Sequence, residues 1–151
     1  INVESAEEML DRVMRASLNM DVFIGVAAVA DYRPAKFTNE KIKKSKENLD
    51  LKLLKNSDII SKVTGLAKKP FAVGFAAETN SIVESGRQKL KEKRLDLIFA
   101  NNAVETFNND NITVTAIDRN SERQLGPANK SVVARQMIEL ISSALREALI
   151  N

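Results

Sequence analysis

Continuous apolar runs mark three places along the chain. Val22–Val29 is apolar almost throughout, and Phe71–Ala77 and Leu95–Ala100 are shorter runs of the same kind. Strands that are apolar on both faces are typical of a parallel sheet covered by helices on each side. These runs therefore predict buried strands, and we expect the first of them to be a central strand of the sheet.

Helical periodicity separates these strands. Ser5 and Glu8 form a capping-box pattern, and apolar residues follow at helical spacing over residues 6–14. Ser81–Arg94 and the segment from about Ser131 to Ile150 show the same periodicity. Strands that alternate with helices predict an α/β protein, with a Rossmann-like, doubly wound and mostly parallel sheet.

The two ends of the predicted sheet are less regular. Ile1–Val3 has the pattern of the end of a strand, and Ile112–Asp118 alternates as an edge strand does, with a short partner around Arg123–Leu125. None of the five glycines forms G-x-G-x-x-G or a Walker loop. We therefore expect one domain over residues 1–151 that lacks its N-terminal βαβ part, or else a smaller fold.

The segment 31–56 interrupts this alternation. It contains a proline, a run of lysines (Lys41, Lys43, Lys44 and Lys46) and the alternating stretch Leu51–Lys55. Insertions of this length within an α/β domain are commonly functional. We predict that residues 31–56 form a flap and a dimerisation arm.

The amino-acid composition limits the kinds of catalytic group and ligand that this chain can have. The 151 residues include no cysteine and no histidine, so thiolate nucleophiles, disulfides and the commonest zinc ligand are excluded. The net charge of +3 comes from basic residues scattered among acidic ones, and aromatics are only 5%. This distribution is typical of an ordinary solvated surface, and the alternative is a site for small anionic ligands such as phosphates rather than for nucleic acid. No apolar run is long enough to span a membrane, and we expect a cytoplasmic protein.

The stretch Ala27–Pro34 follows the first apolar run, and it combines small residues with Asp31 and Arg33. Ligands of open α/β sheets bind beyond the carboxyl ends of the strands, so this stretch is a candidate site. The alternative is a local ion pair between Asp31 and Arg33. Further along, Lys41 could neutralise charge on a phosphate, unless it only forms part of a solvated face.

Two more segments lie at the ends of predicted strands. Lys55–Ile60 leads into a helix that Ser57 is expected to cap, and the free N–H groups of a helix start can bind a phosphate or a ribose. The negative charge of Asp58 favours the ribose contact, and the alternative is that the segment only caps the helix. Phe75, in the run that ends at Ala77, could lie against a base or belong to the core.

Helical geometry singles out Lys89 and Lys93. At about 100° per residue, both lysines fall at the margin of the apolar stripe of the helix that starts near Ser81. Charges in that position need an anionic partner, which a triphosphate would supply. The alternative is that their ammonium groups reach solvent past an apolar surface.

Several motifs in order resemble the phosphopantothenate–cysteine ligase family. They are A-A-V-A-D-Y-R, E-K-I-K-K, L-K-N-S-D-I, V-G-F-A-A-E-T, R-Q-K-L-K-E-K, L-D-L-I-F-A-N and F-N-N-D-N. The resemblance implies ligation of 4′-phosphopantothenate with cysteine, which uses CTP and Mg²⁺ and proceeds through an acyl-cytidylate in coenzyme A biosynthesis. It also implies a homodimer, with segment 31–56 at the interface, and in many bacteria fusion to a flavin-dependent decarboxylase domain.

The resemblance also implies roles for individual residues. Lys41 would assist the transfer chemistry, and Ala27 and Ala28 would line the phosphopantothenate side; no metal ligand is assigned. The residues implied in CTP binding are Gly25, Val26, Ala27, Asp31, Lys41, Ser57, Asp58, Ile59, Ile60, Phe75, Lys89 and Lys93.

This sequence departs from the family pattern in two respects. Ser57 stands where proline is usual, and a Gly-rich segment and a Ser-Asn-x-Ser-Ser-Gly-like stretch are absent. We therefore expect a chain that binds CTP and is catalytically incomplete. The alternatives are a fragment of a dinucleotide-binding oxidoreductase and a non-enzymatic dimerisation module.

Overall fold

The computed structural model describes residues 1–38, 40–41, 48–106 and 109–150. Three lysines of the predicted flap (Lys43, Lys44 and Lys46) and the first two residues of F-N-N-D-N lie outside this part of the chain. The elements are α1 (Ala6–Ser17), β1 (Val22–Gly25), β2 (Tyr32–Pro34), β3 (Leu53–Lys55), α2 (Ile59–Thr64), β4 (Phe71–Glu78), α3 (Ile82–Glu92), β5 (Leu97–Asn102), α4 (Ala103–Thr106), β6 (Asn111–Ile117), β7 (Glu122–Asn129) and α5 (Lys130–Ile150).

Five strands form one mixed sheet in the order β1-β4-β5-β6-β7. Strands β1, β4 and β5 are parallel, whereas β6 and β7 are antiparallel to their neighbours. The three parallel strands are those that the continuous apolar runs predicted. The α/β Rossmann-like fold class is confirmed.

Helices cover both faces of this sheet. On one face, Val73 and Phe99 pack in a buried cluster with Val133 and Ile141 of α5. On the other face, Ala72, Ile98 and Ala100 pack in a second cluster with Leu90 of α3, and Ile60 of α2 contacts it. Burial on both faces explains why β4 and β5 are apolar at nearly every position.

The first helix begins as its sequence pattern predicts. Ser5 is the N-cap, and its side-chain oxygen accepts a hydrogen bond from the Glu8 N–H at 3.2 Å. The Glu8 carboxylate returns to the Glu4 N–H at 2.9 Å instead of to the N-cap residue itself. Both contacts satisfy N–H groups at the helix start, as a capping box does. None of the helices within the described residues has the length and apolarity to cross a bilayer.

The predictions for the first strand and for Ile1–Val3 were wrong. The first strand ends at Gly25, well short of Val29, and among the described strands it lies at the edge of the sheet instead of at its centre. Its last pair with β4 is Gly25 with Gly74, and beyond this pair the backbone has no strand partner. Ile1–Val3 has no regular structure, because no described strand pairs with it.

The outer end of the sheet also differs from the prediction. Strand β6 is paired on both sides, and the edge strand is β7, which has eight residues instead of the three expected. A register shift lies between Ile112 and Val114, opposite Gly126 and Pro127 of β7. Proline is tolerated on an edge strand because that strand leaves some N–H groups unpaired.

Segment 31–56 contains a small sheet of its own. Strands β2 and β3 pair antiparallel, with Arg33 opposite Leu54. All three residues of β3 are exposed. The prediction that this segment is a flap and a dimerisation arm stays a prediction.

Candidate functional site

A cavity of about 270 Å³ opens where β1 ends and β4 continues beyond it. The end of β1, the loop after it, the start of α2, the middle of β4 and one side of α3 surround the cavity. Ten residues singled out in the sequence line it, namely Gly25, Ala27, Asp31, Ser57, Asp58, Ile59, Ile60, Phe75, Lys89 and Lys93. The structure therefore brings segments together that are far apart in sequence.

Three predicted site residues are not among those that line the cavity. Val26, Ala28 and Lys41 are all exposed, and none of them contributes to the cavity wall. Val26 and Ala28 flank Ala27, which does line it. Their predicted roles in binding nucleotide and phosphopantothenate, and that of Lys41 in the transfer, stay predictions.

Two glycines keep the inner wall of the cavity close-packed. A Cβ on Gly74 would lie 2.7 Å from Leu95 Cδ1, and a Cβ on Gly25 would lie 3.0 Å from Ile60 Cδ1. Neither position can take a side chain without movement of these neighbours. The paired glycines thus let α2 and the segment after α3 approach the sheet directly beside the cavity.

Asn56 fixes the loop that carries Asp31. Its Nδ2 donates to the Ala30 carbonyl at 2.8 Å, and its backbone N–H donates to the Asp31 carbonyl at 2.7 Å. Its Oδ1 accepts a hydrogen bond from Arg33 at 2.9 Å. The Arg33 guanidinium also pairs with Glu7 at 2.6 Å, so the predicted alternative of a local pair between Asp31 and Arg33 was wrong. Within the described residues, no ion pair engages the Asp31 carboxylate.

Each of the two predicted lysines has a carboxylate partner. Lys89 Nζ lies 2.6 Å from Glu78 Oε1, and Lys93 Nζ lies 3.0 Å from Asp58 Oδ2. Both ammonium groups remain partly open to solvent, with side chains 42% and 35% exposed. Glu78 and Asp58 thus supply the anionic partners that we expected from a triphosphate. Both lysines line the cavity, and their role in binding a triphosphate stays a prediction.

Asp58, and not Ser57, is the N-cap of α2. Its Oδ1 accepts the Ser61 N–H at 3.1 Å while its other oxygen faces Lys93. Burial is the largest single influence on the pKa of Asp58 and raises it, but the hydrogen bonds from Lys93 and Ser61, together with the positive charge of Lys93, outweigh it. The net pKa lies below the ordinary value of an aspartate. The carboxylate therefore stays charged at neutral pH.

Phe75 connects the cavity to the core. Its ring lies 5.4 Å from the ring of buried Phe99, centroid to centroid, at an interplanar angle of 41°. The Phe75 side chain nevertheless remains partly exposed and lines the cavity. The contact with Phe99 agrees with the interpretation as a core residue, and the role of Phe75 as a surface for a base stays a prediction.

Asn56 and Glu78 make polar contacts at the site and carried no predicted role. Asn56 is a buried polar residue whose side chain holds the loop, and Glu78 is the partner of Lys89. Both lie within motifs that the sequence made visible, L-K-N-S-D-I and V-G-F-A-A-E-T. The pairing itself could not be read from the sequence, because it depends on the register of α3 on β4.

Comparison with known proteins identifies the family. Residues 1–145 match the family model described as "DNA/pantothenate metabolism flavoprotein C-terminal domain", and the chain belongs to this family. It is 38% identical over 151 residues to the coenzyme A biosynthesis bifunctional protein CoaBC of Vibrio vulnificus (strain CMCP6), with 96% of this chain and 38% of that protein covered. The CoaBC of Haemophilus influenzae (strain KW20 / Rd) is 38% identical over 152 residues, with 99% of this chain and 38% of that protein covered.

Solved structures agree with this assignment. The C-terminal domain of a coenzyme A biosynthesis bifunctional protein CoaBC superposes with a TM-score of 0.78 at 31% identity, over 97% of this chain and 66% of that one. A DNA/pantothenate metabolism flavoprotein from Streptococcus pneumoniae, at 22% identity and a TM-score of 0.73, covers 95% of this chain and 69% of that one, and supports the fold alone. The chain thus spans well under half the length of the CoaBC relatives.

Proposed function

We propose that this chain forms the CTP-binding part of a phosphopantothenate–cysteine ligase in coenzyme A biosynthesis. The observation that carries the proposal is the single cavity beside β1 and β4, which gathers Asp31, Phe75 and Lys89. The names of the CoaBC relatives place them in coenzyme A biosynthesis, which supports the same activity here. The CoaBC relatives are called bifunctional, and this part covers 38% of their length. A flavin-dependent decarboxylase domain fused to this part would account for the rest.

The residues of the cavity divide into two groups with different roles. Phe75 offers a ring face to a base, and the Asp31 carboxylate can accept a hydrogen bond from an amino or hydroxyl group of a cytidine. Lys89 and Lys93 line the same cavity and would serve as cations for the triphosphate. The backbone from Ser57 to Ile60, at the start of α2, also lines it and would follow the ribose.

The proposed reaction needs little from the chain beyond positioning and charge. The carboxylate of 4′-phosphopantothenate attacks the α-phosphorus of CTP, an O–P bond forms, and pyrophosphate leaves. The amine of cysteine then attacks the acyl carbon, so that an amide forms and CMP leaves, while the amine proton passes to solvent. The lysines would stabilise charge on the leaving pyrophosphate, which is the main electrostatic task of such transfers. Lys41 would act from outside the cavity wall.

The chain offers few groups to a metal by itself. Within the described residues, no cluster of three or more acidic side chains could hold an ion. Mg²⁺ usually binds through one or two carboxylates together with substrate phosphates, so the residues present fit an ion carried by the triphosphate. Asp58 and Glu78, beside the two lysines, are the carboxylates placed to complete its coordination. Bound Mg²⁺ would supply charge neutralisation of the phosphates.

Calorimetric titration with CTP, ATP and NAD tests the proposal. We expect CTP to bind most tightly, and we expect Asp31→Ala and Lys89→Gln each to weaken it by about tenfold or more, since a charge-assisted hydrogen bond contributes about 1.5–3 kcal/mol. Lys62→Gln, an exposed lysine of α2 outside the cavity, is the matched control. Tightest binding of NAD would favour the oxidoreductase alternative, and no nucleotide binding would favour the assembly module.

We also propose that segment 31–56 mediates a homodimer. Five of its apolar side chains are more than half exposed, namely Tyr32, Phe37, Leu49, Leu51 and Leu53. Contiguous exposed apolar groups commonly mark an interaction surface. Light scattering should give a dimer for the wild-type chain and a monomer for Leu51→Glu with Leu53→Glu. A monomeric wild-type chain would contradict the proposal.

A further inference from the structure

A second concave surface, here called the basic groove, lies beside the C-terminal end of α3. It has a volume of about 710 Å³. Its walls come from the end of α2, the loop before β4, α3 and the turn after β6. Leu95 lies between the two sites and lines both. Nothing in the proposed ligase chemistry uses this groove.

Positive charge dominates its lining. Five cationic side chains line it, Lys69, Arg87, Lys91, Arg94 and Arg119, whereas Asp118 is the one acidic residue that does so among those described. Two carboxylates outside the lining offset part of this charge. Asp96 pairs with Lys69 at 2.5 Å and lies 3.9 Å from Arg119, and Glu122 pairs with Arg87 at 2.9 Å. Five cations against three carboxylates leave an excess of two positive charges.

The acidic residue of the lining is already engaged. Asp118 Oδ1 accepts the Asn120 and Ser121 N–H groups at 2.7 and 2.6 Å, and Oδ2 accepts the Ser121 hydroxyl at 2.7 Å. It therefore serves the turn between β6 and β7, and its charge also interacts with that of Arg87. Lys91 and Arg94 have no hydrogen bond or ion pair from their side chains to the described part of the chain.

Arg94 also adopts an unusual backbone conformation. Its φ is +51°, in the left-handed region that favours glycine. It follows the C-cap of α3, where the Leu95 N–H returns to the Leu90 carbonyl at 2.9 Å. Glycine is the common residue at this point of such a helix end. An arginine there accepts backbone strain, and strain of this kind is concentrated at functional sites.

The floor of the groove is apolar. Leu90 and Leu95 are buried beneath it, and Leu66 is partly buried at its side. One arginine guanidinium can donate two parallel hydrogen bonds to the oxygens of a phosphate, whereas a lysine ammonium acts as a point charge. A rim of three arginines and two lysines above leucines thus suits a ligand with a phosphate group and an apolar portion.

We propose that the basic groove is a second binding site, for a small phosphorylated molecule, separate from the nucleotide cavity. The groove and the cavity also share a mechanical connection. The Thr64 hydroxyl, in the groove, donates to the Lys93 carbonyl at 2.7 Å, and the Lys93 ammonium belongs to the cavity. This hydrogen bond links the two sites at the backbone of Lys93.

Inorganic pyrophosphate is a suitable probe, followed by amide chemical shifts of the ¹⁵N-labelled chain. We expect saturable shifts at Lys91, Arg94 and Arg119, in addition to shifts at the cavity lysines. Arg94→Gly places glycine at a positive φ, which glycine adopts without strain, so this variant should fold and lose only the arginine side chain. Combined with Lys91→Gln, it should weaken the groove response by about tenfold or more, while the cavity response persists.

Lys89→Gln is the matched control, because it should weaken the cavity response and leave the groove response unchanged. Shifts confined to the cavity would overturn the proposal, and so would groove shifts that survive in the Arg94→Gly, Lys91→Gln variant. Neither result depends on which nucleotide the cavity binds. Failure of the groove proposal can therefore be distinguished from failure of the proposed function.

Discussion

Lys93 at the end of α3 lies 3.0 Å from Asp58 at the start of α2, and this contact joins the two helices across the cavity. Asp58 is at the same time the N-cap of α2. One carboxylate thus helps to start a helix and holds a cation of the site. A triphosphate that binds Lys93 has to exchange with this carboxylate or share the lysine with it.

Asp58→Asn should reduce stability in a pH-dependent way. Asparagine caps helices about as well as aspartate, so the substitution isolates the charge of the side chain. The pKa of Asp58 is lowered in the folded state, so its stabilising contribution is present above the unfolded pKa and is lost as pH falls through the folded one. We expect the wild-type chain to be more stable at pH 7 by at most about 1 kcal/mol, since the pair is partly exposed.

Urea unfolding at several pH values between 7 and 3 measures this difference. The gap between wild type and Asp58→Asn should close below about pH 4, near the ordinary pKa of an aspartate. A gap that stays constant over the whole range would show that the charge of Asp58 does not contribute.

Glu78→Gln and Lys89→Gln should change nucleotide affinity in opposite directions. Lys89 is held by Glu78 at 2.6 Å, so removal of the carboxylate charge frees the ammonium for phosphates. In the presence of EDTA, we expect Glu78→Gln to strengthen CTP binding severalfold, and Lys89→Gln to weaken it by about tenfold. Calorimetry provides both values. Equal losses in the two variants would mean that the pair acts as one structural unit.

Phe75→Leu should separate the contact with the base from the contacts with the phosphates. A base that stacks on an aromatic ring contributes about 1–3 kcal/mol, so CTP affinity should fall by about fivefold or more. Tripolyphosphate has no base, and its affinity should not change. Loss of the contact with Phe99 should also lower stability by about 1 kcal/mol. A parallel loss of tripolyphosphate binding would argue against stacking.

Gly126→Ala should destabilise the outer edge of the sheet. Gly126 has a φ of +83°, and a Cβ there would lie 2.4 Å from the Ile112 carbonyl oxygen. Because a backbone atom cannot rotate away, we expect a loss of about 2 kcal/mol or more in the free energy of unfolding. Gly65→Ala is the control, with a φ of −83° and a nearest contact of 3.2 Å. Its effect should stay within about 1 kcal/mol, and equal effects would contradict the steric argument.

The buried strands were predictable because their environment is uniform. Strands β4 and β5 lie between helices on both sides, so nearly every position is apolar and the run length marks the strand. The same argument failed for β1. Residues 26–29 are as apolar as the strand, but they lie beyond its last backbone pair, Gly25 with Gly74 of β4. Apolar character reports burial and does not report where pairing stops.

The candidate site was predictable as far as single segments go. Asp31 follows one predicted strand of the main sheet and Phe75 lies near the carboxyl end of another, and such positions converge at one edge of an open sheet. Ser57 follows a predicted strand as well, but that strand, β3, belongs to the small separate sheet. The pairs of Lys89 with Glu78 and Lys93 with Asp58 were not predictable, because they depend on how α2 and α3 rest on the sheet. The basic groove was not predicted for the same reason, because its cations come from three separate segments, namely the loop before β4, the C-terminal half of α3 with the residue after its C-cap, and the turn after β6.

A crystal structure of the chain with bound CTP would show whether the cavity is the nucleotide site. We expect the cytosine ring against Phe75, the Asp31 carboxylate within hydrogen-bond distance of the cytidine, and the triphosphate between Lys89 and Lys93. A nucleotide bound at another surface, with Phe75 and both lysines untouched, would contradict this expectation.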